Sequence, residues 1–213
     1  MAWTFADEIH SLTGYDADST GTSTSGETYL VHTNRWLTDG AKEVINNLPS
    51  DLLRLCTSFS LNFTSTVAGS ESETLNTGKI FAVFAGSHEA RKIPSTLKYK
   101  ASDSSSIEYA TSTDPVYYID GNKINVLPAS IGTCKYEEVQ YPSVDSSTTA
   151  ISNFPDEAEH LVVLFAAIKA VEYMIIDTED LELYIPMLQT LKQDYAQGLA
   201  SLKGESPAQG GGR

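Results

Sequence analysis

Apolar residues recur at helical spacing near both ends of this chain and at alternate positions in its middle, so the period itself divides the sequence into regions. The most apolar stretch is 155–176, PDEAEHLVVLFAAIKAVEYMII, which predicts one long helix. Pro155 suits a first helical position, and Asp156, Glu157 and Glu159 set negative charge against the free N–H groups of the first turn. A stripe of Leu161, Leu164, Phe165, Ile168, Val171 and Ile175 is joined by Val162, Val163 and Ala166 on other faces, so the helix must be covered nearly all round. Charged residues interrupt it at Glu157, Glu159, Lys169 and Glu172, and the uninterrupted apolar run is too short for a bilayer. It is a core helix or a subunit-interface helix.

Upstream, Thr4 and Asp7 have the spacing of a capping box, with Phe5, Ile9 and Leu12 on one face of a short helix that Gly14 stops. Residues 15–26 are mostly Ser, Thr, Gly and Asp and read as a loop or arm with nothing to bury. A second helix is expected over about 27–48, from Leu30, Leu37, Ala41, Val44, Ile45 and Leu48, with Trp36 broadening its apolar face and Pro49 ending it. Gly40 weakens that helix and marks close approach of another backbone. Ser50 is expected to cap a short turn over 51–55.

The middle alternates. Phe59, Leu61 and Phe63 predict one strand and Ile80 to Phe84 another, expected to pair antiparallel. Residues 95–113 carry no assignable period. Val116 to Ile119 and Lys123 to Leu127 flank Asp120-Gly121-Asn122, a hairpin signal because these turn residues tolerate positive φ. A strand over 133–141 follows, then a Ser/Thr linker. Beyond the long helix, Leu181, Tyr184, Leu188, Leu191, Tyr195 and Leu202 predict a second C-terminal helix packed back on it, with Pro186 near its start. The expected class is α+β. Residues 1–55 and 143–203 supply a helical bundle, 56–142 an inserted small antiparallel sheet, and 204–213 a Gly-rich tail.

Composition narrows the function. An apolar content of 41% over 213 residues supports a real core, and a net charge of −14 argues against a surface that grips phosphate. The N-terminus lacks a basic and hydrophobic segment with a small-residue cleavage site, which points to the cytoplasm or a particle assembled there. Cys56 and Cys134 suit small buried thiols rather than a disulfide framework or zinc site. His10, His32, His88 and His160 have no ligand spacing, so no metal or cofactor is expected. Asp16-Ala17-Asp18-Ser19-Thr20 imitates a phosphotransfer nucleophile, but a helix and Gly14 precede it rather than a buried strand, and no phosphate-binding glycine loop or serine elbow is present. Glu137 and Glu138 fall on opposite faces of one strand and cannot share a cleft. The tyrosines, Tyr99, Tyr109, Tyr117, Tyr118, Tyr136, Tyr141, Tyr173, Tyr184 and Tyr195 among them, cover sheet edges or else line a carbohydrate site or an interface. An enzyme is the least supported class.

The order of these segments carries a resemblance. A short N-terminal helix, then HTNRWLTDGAKEVINNLPSDLL, then DPVYYIDGNKINVLP, VQYP, a Ser/Thr linker and FPDEAEHLVVLFAAIKAVEYMI resembles the head-to-tail adaptor (connector, neck) proteins of tailed bacteriophages. Trp36-Leu37 and Val44-Ile45 match the family's W-L and aliphatic-pair helix, 115–128 its hairpin, and 154–170 its long helix. The resemblance implies a non-enzymatic virion protein at the head-tail interface. It would form a homo-oligomeric ring, usually a dodecamer, under the portal protein, carry tail or nozzle proteins, and let DNA pass through its lumen without specific binding. It implies neither membrane nor cofactor. On this basis Leu161, Val162, Phe165 and Val171 are expected at the ring interface, and Leu199, Leu202, Lys203, Pro207, Gly210 and Arg213 at the portal. Asp120, Gly121 and Asn122 are expected to face the tail. A stopper or tail terminator at the same junction is an alternative, and a tyrosine-rich carbohydrate-binding module is one from another class.

Overall fold

The computed structural model describes residues 3–21, 27–64, 73–75, 79–177 and 181–204. Its helices are α1 (Phe5–Thr13), α2 (Tyr29–Asn47), α3 (Ser50–Leu53), α4 (Lys98–Ser102), α5 (Asp156–Asp177) and α6 (Leu181–Leu202). Its strands are β1 (Thr57–Phe59), β2 (Phe63–Thr64), β3 (Glu73–Thr74), β4 (Ile80–Ala85), β5 (His88–Glu89), β6 (Arg91–Lys92), β7 (Val116–Asp120), β8 (Lys123–Leu127) and β9 (Thr133–Val139). The class is α+β. The chain divides into two compact units, residues 1–56 with 141–213, and residues 57–140.

In the helical unit, local signals set the helix ends. Thr4 Oγ1 accepts from the Asp7 N–H at 3.2 Å and Asp7 Oδ2 accepts from the Thr4 N–H at 2.8 Å, a complete capping box. Gly14 closes α1 at φ 71°, where a side chain would be strained. Thr28 caps α2, and Leu48 leaves the helix in an extended conformation because Pro49 follows. Ser50 is the first residue of α3 rather than its cap; Pro49 occupies the cap position and supplies no side-chain bond. Leu12 is 40% exposed, so the apolar face of α1 is narrower than its spacing predicts.

Helix α5 packs against α1, α2 and α6. Leu161, Val162, Val163, Ala166, Ala170 and Val171 are all buried, so a single chain covers this helix nearly all round. Phe165 is half-buried, lying against Gly40 of α2 and, at 6.1 Å between ring centroids, Tyr195 of α6. Of the residues expected at a ring interface, Leu161, Val162 and Val171 are covered within this chain by α1, α2 and α6, whereas Phe165 keeps part of its surface exposed. Gly40 does mark a close approach. A Cβ there would lie 3.0 Å from Phe165 Cδ1 and 3.2 Å from the Val162 carbonyl oxygen.

The Ser/Thr segment before α5 is structured rather than a linker. Thr148 and Ser146 accept at their carbonyls from Phe5 and Ala6, and Thr38 Oγ1 exchanges bonds with both the N–H and C=O of Val144. Val144, Ser146 and Ile151 are buried. Residues 15–21 also differ from expectation, because Tyr15 and Ala17 are buried; the rest of that expected loop, 22–26, lies outside the described residues.

The α5–α6 seam joins Ala167, Ile168 and Val171 to Leu191, with Tyr184, Leu188 and Tyr195 packed alongside. Glu172 bridges it, 2.9 Å from both Lys169 Nζ and Lys192 Nζ. Burial raises that carboxyl, but the two lysines outweigh the effect and hold it below its ordinary value. Tyr195 lies in this seam with its hydroxyl buried and unpartnered among the described residues, and burial pushes its phenol up to about 12. An unfolded tyrosine ionises near pH 10, so between that value and about 12 the unfolded chain has released a proton that the folded chain retains. Thermal stability is expected to fall as pH rises through this window, and less steeply in Tyr195→Phe; equal slopes in melting curves of the two proteins would refute the assignment.

The unit of residues 57–140 holds two sheets, ordered β1-β9-β4-β5, with β2 also on β9, and β3-β8-β7-β6. The expected pairing of the 59–63 and 80–84 segments is corrected. Both pair instead with β9, which lies between them in registers Phe59↔Glu137 and Val83↔Tyr136. Val83, Ala85, Cys134 and Tyr136 from the first sheet share one core with Tyr117, Ile124 and Val126 from the second. The pairing of β6 with β7 is parallel, an exception to the expected antiparallel sheet. The hairpin of β7 and β8 forms around Gly121-Asn122, and the positive φ of 64° falls on Gly121. The region without period, 95–113, covers the other face of β7: Ala101 and Ala110 join Ile93, Val116, Tyr118 and Leu127 in a small core.

Candidate functional site

An aromatic stripe on α2 builds the most distinctive site. Tyr29, His32 and Trp36 fall at i, i+3 and i+7, so one helix face carries all three. Tyr173, near the C-terminal end of α5, meets them: its ring centroid lies 6.3 Å from Tyr29, 5.4 Å from His32 and 5.9 Å from Trp36. His32 stacks on Trp36 at 5.7 Å with an interplanar angle of 22°. Tyr15, which follows the Gly14 turn, adds a further ring 5.6 Å from Tyr29 and 6.4 Å from Tyr173. Edge-to-face contacts of this kind stabilise by about 0.5–1.5 kcal/mol each beyond area burial. Burial, then the neighbouring Tyr173, raise the Tyr15 phenol far above its ordinary value, so this ring is neutral throughout the physiological range. The Tyr173 hydroxyl is buried and has no partner among the described residues.

Beside this cluster a recess of about 400 Å³ is lined by Gly14, Tyr15, Asp16, Tyr29, Tyr173, Met174 and Tyr184. The α2 spacing of Tyr29, His32 and Trp36 was a visible signal for the stripe. The convergence with Tyr15 and Tyr173 was not, because it depends on how α1 and α5 cross α2.

The residues expected at partner surfaces lie as follows. Asp120, Gly121 and Asn122 are exposed at the hairpin tip, and Asp120 Oδ2 lies 3.3 Å from Lys98 Nζ, so its charge is already partly answered. The hydrogen bond and charge of Asp120 raise Lys98 above its ordinary value. Leu199 and Leu202 are half-buried near the end of α6, and exposed Lys203 donates to Asn47 Oδ1 at 3.4 Å. Pro207, Gly210 and Arg213 lie outside the described residues. Large apolar side chains stand exposed at the opposite end of the hairpin of helices: Ile176, Leu183 and Ile185.

Among the described residues no three His, Cys, Asp or Glu side chains gather as a metal site, and no helix is long and apolar enough to cross a membrane. Cys56 and Cys134 are free and buried, and burial pushes the Cys56 thiol up to about 11, away from the reactive thiolate. No family model and no curated protein matches the chain.

Proposed function

We propose that this chain is a virion structural protein of a tailed bacteriophage, a head-to-tail adaptor that assembles as a ring beneath the portal. There it would extend the DNA channel and provide the platform for the tail. The observation that carries the reading is the order of segments: residues from both ends of the chain build one helical unit around α5, and the sheet-bearing residues 57–140 are inserted between α3 and α5. A net charge of −14 adds support, because phosphate passing through a lumen would be repelled rather than held. The reading requires neither cofactor nor catalytic group.

Because Leu161, Val162 and Val171 of α5 are core, subunit contacts in such a ring would fall on what the helical unit leaves exposed, such as Leu12, Val31, Leu183, Ile185 and, at the end of α5, Ile176. The half-buried Leu199 and Leu202 and the residues after them would meet the portal. Native mass spectrometry of the chain alone and after mixing with the portal protein of the same virus tests the reading. A ring with portal subunits is the expected product, and the absence of any association would overturn it. Truncation after Leu202 is expected to leave the far-UV spectrum and melting temperature unchanged while abolishing attachment to the portal. Attachment at full strength by the truncated chain would remove the tail from the interface.

A further inference from the structure

We infer that the outer edge of β1 is a strand-pairing surface whose occupant is the same edge of a second copy of this chain, set antiparallel across a two-fold axis. The inference is independent of the adaptor reading, because a two-fold contact pairs chains and does not by itself close a ring. Among the described residues β1 ends its sheet, with β9 on one side and no strand on the other. Two bonds fix which backbone groups face outward. Ser60 N–H donates to the Tyr136 carbonyl at 2.7 Å, and Val139 N–H donates at 3.0 Å to the Lys79 carbonyl, on the β4 side of β9. In an antiparallel ladder, residues bonded to one neighbour alternate with residues whose N–H and C=O point to the other side. Glu138 and Tyr136 therefore turn toward β1, where Ser58 and Ser60 meet them, and the N–H and C=O of Phe59 are directed away from β9.

This edge lacks the usual guards. Monomeric proteins protect edge strands with lysine, proline or inward-pointing charge. Residues 55–70 contain no charged side chain and no proline, in a chain whose net charge is −14. Phe59 is 56% exposed and Leu61 89% exposed. The Phe59 ring is already held, 6.1 Å from the Phe84 ring and with Lys135 Nζ 4.7 Å from its centroid, so contact costs little side-chain entropy. Unpaired backbone groups select an extended strand, and charge selects a second copy: two chains of this net charge meet with least repulsion along an uncharged edge that is its own complement. Pairing centred on Phe59 makes the two Phe59 residues exchange N–H···O=C bonds and lays each Leu61 against the opposite strand. The bulge at 60–62, one residue longer than β9 between Phe59↔Glu137 and Phe63↔Cys134, limits the paired run, so the dimer is weak.

The test applies two measurements to the full chain. Sedimentation velocity over about 5 to 500 µM is expected to show a monomer–dimer equilibrium with a Kd of about 100 µM. Amide hydrogen exchange by NMR at the two ends of that range locates the contact. Protection of the Phe59 amide is expected to rise about fourfold with concentration, whereas the Ser60 amide, bonded to Tyr136 within the chain, serves as the constant reference. Leu61→Lys, at a position already in solvent, is expected to weaken the dimer about tenfold while the melting temperature of the dilute protein stays the same. Phe59→Pro removes an N–H that β9 does not use and is expected to abolish the dimer. A monomer at every concentration would overturn the inference. So would a dimer that leaves Phe59 protection unchanged or forms equally well with Leu61→Lys, since either result places the contact on another surface.

Discussion

Leu161→Ala is expected to destabilise the isolated chain by about 3 to 5 kcal/mol, read as a lower urea midpoint by circular dichroism. Leu161 is fully buried in α5, and its Cδ2 atom lies only 2.4 Å from where a Cβ on Gly198 of α6 would stand. The side chain therefore fills the space between α5 and the backbone of α6. Truncation forfeits its transfer free energy and leaves a cavity, and because α1, α2 and α6 all pack on α5 the surrounding elements cannot collapse without losing contacts with one another. The result separates two assignments of one residue. A core leucine weakens the monomer; an interface leucine would leave the monomer's stability unchanged and weaken only its assembly, and that pattern would overturn the core placement. A double-mutant cycle adds a second readout. Gly198→Ala alone drives its new methyl into Leu161, whereas in the Leu161→Ala background the same methyl enters the vacated space, so the two changes together should cost less than their sum.

Gly40→Val is expected to cost about 3 kcal/mol or more, although valine is a better helix former than glycine. Its Cβ would meet Phe165 Cβ and the Val162 carbonyl oxygen, each at 3.2 Å, and the carbonyl belongs to the backbone of α5 and cannot rotate away. The branched methyls then force α2 off α5, exposing Leu37, Ala41 and Val44, which are fully buried. Thermal melts of the purified variant measure the loss. A melting temperature within a degree of the parent would show that the two helices do not meet at this glycine. Gly40→Ala is the informative intermediate: it gains up to about 1 kcal/mol of helix propensity and must recover a few tenths of an ångström from Phe165.

Both substitutions bear on where partners can bind. With Leu161, Val162, Val163 and Val171 of α5 committed to the interior, docking must use the surface: the apolar end formed by Ile176, Leu183 and Ile185, the hairpin at Gly121, and the tyrosine recess. These features do not share a sequence period, which is why a reading along the chain assigned the interface to its most apolar helix. Nor does any spacing along the chain place Tyr15 beside Tyr173.

What the sequence determined by itself is local. The Thr4-Asp7 box, the stops at Gly14 and Pro49, the Gly121 turn and the extent of α5 all follow from interactions within a few residues, where backbone sterics and capping bonds dominate. Gly40 was legible for a related reason, since a glycine inside a helix costs stability unless a neighbour needs the space. Only the tertiary structure decided which surfaces cover one another. It placed β9 between β1 and β4, because strand pairing is set by long-range register that alternation cannot encode. It structured 95–113 and 144–151 through a few small or isolated apolar residues, Ala101, Ala110, Val144 and Ile151, too sparse to form a period. And it turned the apolar surface of α5 inward, because hydrophobic burial is non-directional: a helix apolar on every face requires cover, and its sequence does not say whether that cover comes from its own chain or another.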